Sequence, residues 1–117
     1  MISFKQFKKY MDFIKDYEEK LNKANDALIN ISSEFTGIYG IAAPIIDKYV
    51  YMLTDLMELD KADPDLLWWW MYESDFGQNI AEVTLNRKTY QLDTLEKLYN
   101  FIVKSVKNYN KKVSKKK

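Results

Sequence analysis

Apolar residues recur every seven positions at Phe7, Ile14, Leu21 and Leu28, and Tyr10, Tyr17, Ala24 and Ile31 follow with the same period three residues later. No strand and no short helix can carry such a seam on one side. It demands a helix of about 28 residues, roughly 42 Å long at ~1.5 Å per residue. Lys8, Lys9, Lys15, Asp16, Glu18, Glu19, Lys20 and Lys23 lie off the seam. Ser3 and Gln6 have the spacing of a capping box, so the helix is expected to start there. Two uses of the seam are open: packing on the second and last helices of the same chain, or pairing with a second copy as a coiled-coil homodimer.

Gly37 and Gly40 are two of only three glycines and are expected to break the chain between helices. Pro44 suits a first helical turn, and from Ile45 a wide apolar face predicts a second helix that stops near Asp60. Asp63-Pro64 reads as an N-cap followed by a first helical residue, opening a short helix with Leu66, Leu67, Trp70 and Met71 that ends before Gly77. The period then changes to two. Ala81, Val83 and Leu85 alternate with Glu82 and Thr84, and Lys88 to Leu92 alternates again across Asn86-Arg87, which predicts a β-hairpin. Asp93 and Glu96 have a second capping-box spacing, before a stripe of Leu95, Leu98, Tyr99, Ile102 and Val106. The expectation is a helix-dominated α+β domain over residues 1–108: long N-terminal helix, central helices, one β-hairpin and a C-terminal helix. Residues 109–117 are expected to form a basic, disordered Lys-rich tail.

The chain has 117 residues, 47% hydrophobic and 30% charged, enough for one core. Its formal charge of +1 hides an uneven distribution. Residues 104–117 carry seven Lys and no acid, whereas residues 44–82 carry nine acids against Lys48 and Lys61. Cysteine is absent, so the sequence needs no oxidising compartment, and a cytoplasmic location is the expectation. The first residues do not read as a signal peptide, and no run approaches the ~18 apolar residues of a membrane span.

Histidine is also absent, which with the missing Cys removes triads, thiolate dyads, zinc sites and imidazole proton shuttles. The three glycines cannot build a phosphate-binding loop. Carboxylates remain, and Asp60, Asp63, Asp65, Glu73 and Asp75 are close in sequence, but a solvated acidic surface is the simpler reading of them. The expectation is therefore no enzyme, no metal and no cofactor. The Lys-rich tail lacks Arg and interleaved rings apart from Tyr109, so it reads as solubilising, and direct nucleic-acid binding is not indicated.

Trp68-Trp69-Trp70 is the most unusual segment, because successive helical residues project about 100° apart and cannot all face one core. In the plain reading Trp70 and Trp69 are core and Trp68 closes a rim. The functional reading is an aromatic anchor for a partner protein or a stacking platform for a base. The candidate partner-binding residues are Trp68, Trp69, Tyr72, Glu73, Asp75 and Phe76, with Asp63 and Asp65 beside them.

The run Trp68 to Gly77, the hairpin after it, and Tyr90-Gln91-Leu92-Asp93-Thr94-Leu95 continuing to Ile102 resemble small uncharacterised phage and prophage proteins of Gram-positive bacteria. The resemblance covers roughly residues 41–103 and brings no catalytic residues. It implies a phage gene product in a bacterial host cytoplasm, binding a host or defence protein stoichiometrically, as an anti-CRISPR or other anti-defence inhibitor does. Two other roles stay open: a sponge for a defence signalling nucleotide, and a structural or replication-accessory phage protein.

Overall fold

The computed structural model describes the backbone of residues 1–31 and 37–115 and the side chains of residues 1–24 and 46–114. In chain order the elements are α1 (Phe4–Ile31), α2 (Gly37–Leu56), α3 (Leu59–Ala62), α4 (Leu66–Ser74), β1 (Ala81–Leu85), β2 (Lys88–Leu92) and α5 (Leu95–Lys115). The helix-dominated α+β architecture expected from the sequence is the one observed, in a body of 58 × 27 × 24 Å.

α1 starts where its cap predicts. The Ser3 backbone N–H donates to Gln6 Oε1 at 3.1 Å, and the Gln6 N–H donates to Ser3 Oγ at 3.3 Å, so two free donors at the helix start are satisfied reciprocally. Its contacts run in reverse order along α2: the Ile2 N–H reaches Leu56 O, the rings of Phe13 and Tyr17 meet Tyr49, and Glu18 faces Ile46 and Asp47. The two helices are therefore antiparallel. The buried stripe of α1 is Phe7, Met11, Ile14 and Leu21. Among the described seam residues Phe7, Ile14 and Leu21 are buried and Tyr17 packs partly buried against the core, but Tyr10 is 38% exposed and Ala24 exposed, and Met11 takes the place expected of Tyr10. The side chains of Leu28 and Ile31 lie outside the described residues. Phe7, Ile14 and Leu21 are used up inside the chain, and among the described residues the large apolar side chains left exposed on α1 are Tyr10 and Phe13.

α2 begins at Gly37, so the expected break at Gly37 and Gly40 and the helix start at Pro44 are not observed. Each glycine costs a helix only about 1 kcal/mol against alanine, which packing along the rest of α2 can offset. At the other end the helix stops at Leu56, and Glu58 turns left-handed (φ 59°) before α3, a short helix absent from the sequence reading. The Asp63 cap is also corrected. Asp63 closes α3, its carbonyl accepts the Leu66 N–H at 3.2 Å, and α4 starts at Leu66 after Asp65.

The hairpin matches its predicted register, with Leu85 opposite Lys88 and Ala81 opposite Leu92. Ala81, Val83 and Leu85 share a face with Lys88, Tyr90 and Leu92 and pack toward α5, while Glu82–Gln91 and Thr84–Thr89 pair on the outside. Asn86 and Arg87 both adopt positive φ, 53° and 67°, which makes the two-residue loop type I′ despite the missing glycine. A left-handed arginine carries a steric cost of about 1 kcal/mol that glycine does not. Arg87→Gly is therefore expected to raise the urea midpoint, corresponding to about 1 kcal/mol of added stability, and an unchanged midpoint would show that the turn is not strained.

α5 begins one residue later than the Asp93 cap implies. Thr94 Oγ1 accepts the Lys97 N–H at 3.1 Å, and the Asp93 carboxylate pairs instead with Lys97 Nζ at 2.7 Å, which holds its pKa below the usual carboxylate range. Leu98, Phe101, Ile102 and Val106 are buried, and Tyr99 donates to Ile2 O at 2.8 Å while its ring packs on Phe4 and Phe7. The helix continues to Lys115, past residue 108 where the domain was expected to end. No Gly or Pro follows Gly77, and lysine is among the better helix formers, so nothing local stops α5 at residue 108.

Candidate functional site

α4 buries Leu66, Leu67, Trp70, Met71 and Ser74. At about 100° per residue these five positions fall on one side, which puts Trp68 and Trp69 on opposite flanks of the buried face and Tyr72 directly away from it. The exposures agree: Trp70 is 0% exposed, Trp68 and Trp69 are half-buried, and Tyr72 is 75% exposed. Trp70 thus belongs to the core as expected, but Trp69 is only partly covered. One turn apart on the helix, the Trp68 and Tyr72 rings stack with centroids 5.8 Å apart and planes within 17°.

The chain leaves α4 through three consecutive residues with positive φ, Asp75 (48°), Phe76 (58°) and Gly77 (94°). Ser74 ties this turn down. Its hydroxyl donates to Trp70 O and accepts the Gly77 N–H, and its carbonyl accepts from Asn79 at 2.8 Å. Left-handed backbone at Asp75 and Phe76 costs of the order of 1 kcal/mol each. The conformation carries both side chains toward α1, where they complete the wall of a pocket.

That pocket, about 220 Å³, lies where α1, α2 and α4 meet. α1 contributes Glu18, α2 contributes Ile46 and Asp47, α4 contributes Trp68, Met71 and Tyr72, and the turn contributes Asp75 and Phe76. Among the described residues, aromatic rings and three carboxylates line it, and no Lys or Arg does. The Glu18 carboxyl is held above its usual range, chiefly by burial and then by the charges of Asp75 and Glu19. Ionised carboxylates crowded into a half-buried space favour an incoming cation, and the Trp68–Tyr72 stack offers ring faces to the same charge.

The raised Glu18 pKa has a consequence for stability. The folded protein holds that proton more tightly than the unfolded chain, so this residue lowers stability as pH rises through the unfolded and then the folded pKa. Glu18→Gln is expected to raise the melting temperature at neutral pH and leave it unchanged below the carboxylate range. An equal shift at both pH values would show that the effect is not ionisation.

Of the residues nominated from sequence, Trp68, Tyr72, Asp75 and Phe76 come together in the pocket. Trp69 and Glu73 do not, since the helix turns them to the opposite flank. Asp63 and Asp65 sit before the first turn of α4, away from the pocket, and the Asp63 carboxyl is raised by burial and by the Asp65 charge. Glu18, Ile46, Asp47 and Met71 were not nominated. Only Glu18 had a signal in the sequence, lying four residues after Ile14 and three before Leu21, at the edge of the α1 stripe.

No family model, no curated protein and no solved structure matches the chain. Chemistry must therefore be read from the side chains alone. Among the described residues no three Asp or Glu are grouped closely enough to hold a metal ion. No helix among the described residues is long and apolar enough to cross a membrane. What the site offers is a small, acidic, aromatic-walled recess with an exposed tyrosine at its edge.

Proposed function

We propose that the chain is a non-enzymatic binding protein that engages a protein partner stoichiometrically, receiving a Lys or Arg side chain of that partner between Trp68, Tyr72 and the carboxylates of Glu18, Asp47 and Asp75. The observation that carries this reading is the composition of the pocket wall, with stacked rings and three acids and no base. An inserted cation would offset the burial and the neighbouring charges that raise Glu18 and would lie against ring faces, two gains that act together in a partly desolvated site. A volume of about 220 Å³ is below the ~300–1,000 Å³ of typical small-molecule sites, which favours a single side chain over a nucleotide here. The acidic stretch over residues 44–82, nine acids against two lysines, extends the same charge around the rim. The biological setting of the proposal, a phage product inhibiting a host or defence component, rests on the resemblance of residues 41–103.

Affinity capture from a bacterial lysate tests it, with the native protein and an Asp47→Lys variant as baits. The expected result is one partner retained by the native bait and lost from the variant. Quenching of tryptophan fluorescence by cyclic nucleotides, with no protein partner captured, would instead favour the nucleotide-sequestering role.

A further inference from the structure

Because α5 stays helical to Lys115, its backbone sets the spacing of Lys104, Lys107 and Lys111. Lys104, Lys107 and Lys111 follow at i, i+3 and i+7 and so share one side of the helix. That side faces the hairpin across a groove of about 780 Å³, which Leu85, Asn86, Tyr90 and Asn108 also line. A second groove, about 530 Å³, continues from it past Tyr90 and Lys104 to Asn100 and Lys97. No carboxylate lines either groove. Among the described residues, Lys88, Lys104, Lys107 and Lys111 take part in no ion pair.

Tyr90 stands where the two grooves join. Its ring is braced edge-on by Phe101 at 5.3 Å, and the amines of Lys88 and Lys104 lie 5.4 and 5.0 Å from its centroid. We propose that these joined grooves bind single-stranded nucleic acid, with the lysines on successive phosphates and the Tyr90 ring under a base. A phosphate draws the Lys104 ammonium toward itself and so opens the ring face to stacking. Along α5 the steps from Lys104 to Lys107 and on to Lys111 rise by about 4.5 and 6 Å, on the scale of the spacing between phosphates of an extended strand.

The composition decides against an acidic protein as occupant. Protein–protein interfaces are depleted in Lys and centred on apolar anchors, whereas lysines and amides beside one braced ring match surfaces that track a single strand. A concave groove also suits one strand better than a duplex, whose backbone is reached by convex elements entering its own grooves. This surface is separate from the acidic pocket and shares no residue with it.

Anisotropy of a labelled oligothymidylate, titrated with the full chain, tests the proposal. Neutralisation of four phosphates by Lys88, Lys104, Lys107 and Lys111 predicts a log–log salt slope of about −3, or roughly 50-fold weaker binding on going from about 50 to about 200 mM salt. The combined Lys104→Gln, Lys107→Gln, Lys111→Gln variant, all at exposed positions, is expected to reduce the slope to about −0.7. Tyr90→Leu is expected to weaken binding about tenfold with the slope kept. Absence of binding at low salt, or a slope unchanged in the triple variant, would overturn the proposal. So would polyglutamate binding as tightly as the oligonucleotide, which would point to an acidic protein, or a duplex binding equally well.

Discussion

Trp70→Ala is expected to remove about 3–5 kcal/mol of stability, a large share of the ~5–15 kcal/mol that holds a small domain folded. The indole is fully buried and is the largest side chain in the core. It also does more than fill volume. Its Nε1–H donates to Leu92 O at 2.9 Å, which pins β2 to α4, and its ring lies 3.8 Å from where a side chain on Gly77 would begin. Alanine would leave a cavity, lose the tie between α4 and β2 and leave the turn unsupported. Trp70→Phe keeps most of the volume and loses the donor, so about 1.5–3 kcal/mol is expected from that change. Urea unfolding followed by both circular dichroism and fluorescence measures the two costs. If Trp70→Phe cost less than about 0.5 kcal/mol, the tie to the hairpin would not be what the indole supplies.

Tyr72→Ala is expected to do the reverse: to leave stability nearly unchanged and to weaken the captured partner by about 2 kcal/mol or more, roughly 30-fold. The ring is 75% exposed, so its loss opens no cavity, yet it forms one half of the stack that walls the acidic pocket. Trp68→Ala should show both effects, since that ring is half-buried against the core and also lines the pocket. Measuring melting temperature and partner affinity on the same preparations separates the contributions. A partner that binds Tyr72→Ala as tightly as the native protein would move the interface away from this pocket, most directly to the exposed Tyr10, Phe13 and Met52 on the outer face of α1 and α2.

The two charged surfaces differ in how far their chemistry reaches. In the pocket, the Glu18 carboxyl is partly desolvated and lies near the charge of Asp75, so a single cation gains from more than one group at once. Along α5 the lysines are exposed, and each contributes through counterion release that salt weakens. Binding at the pocket should therefore depend less on ionic strength than binding at the α5 groove, a contrast that the same salt titration can read for both ligands.

Features set by residues a few positions apart were legible in the sequence. The Ser3–Gln6 cap, the alternation through Ala81–Leu85 and Lys88–Leu92, and the two-residue loop between them each depend on neighbours within one turn or one strand pair. Loop length restricts the turn to type I′ or II′, and the positive φ of both Asn86 and Arg87 makes it type I′, with Arg87 bearing the cost. Where two local solutions were nearly equal, the choice fell to tertiary contacts. A straight helix falls about 20° behind a heptad repeat with each seven residues, so the face of α1 that is buried depends on where α2 and α5 pack, and that placement selected Met11 over Tyr10. The same holds for the acidic pocket. Trp68, Tyr72, Asp75 and Phe76 are neighbours along one helix and its exit turn and could be nominated together, but Glu18 and Asp47 join them only because α1 and α2 fold back beside α4, and no local pattern records a contact across so many residues.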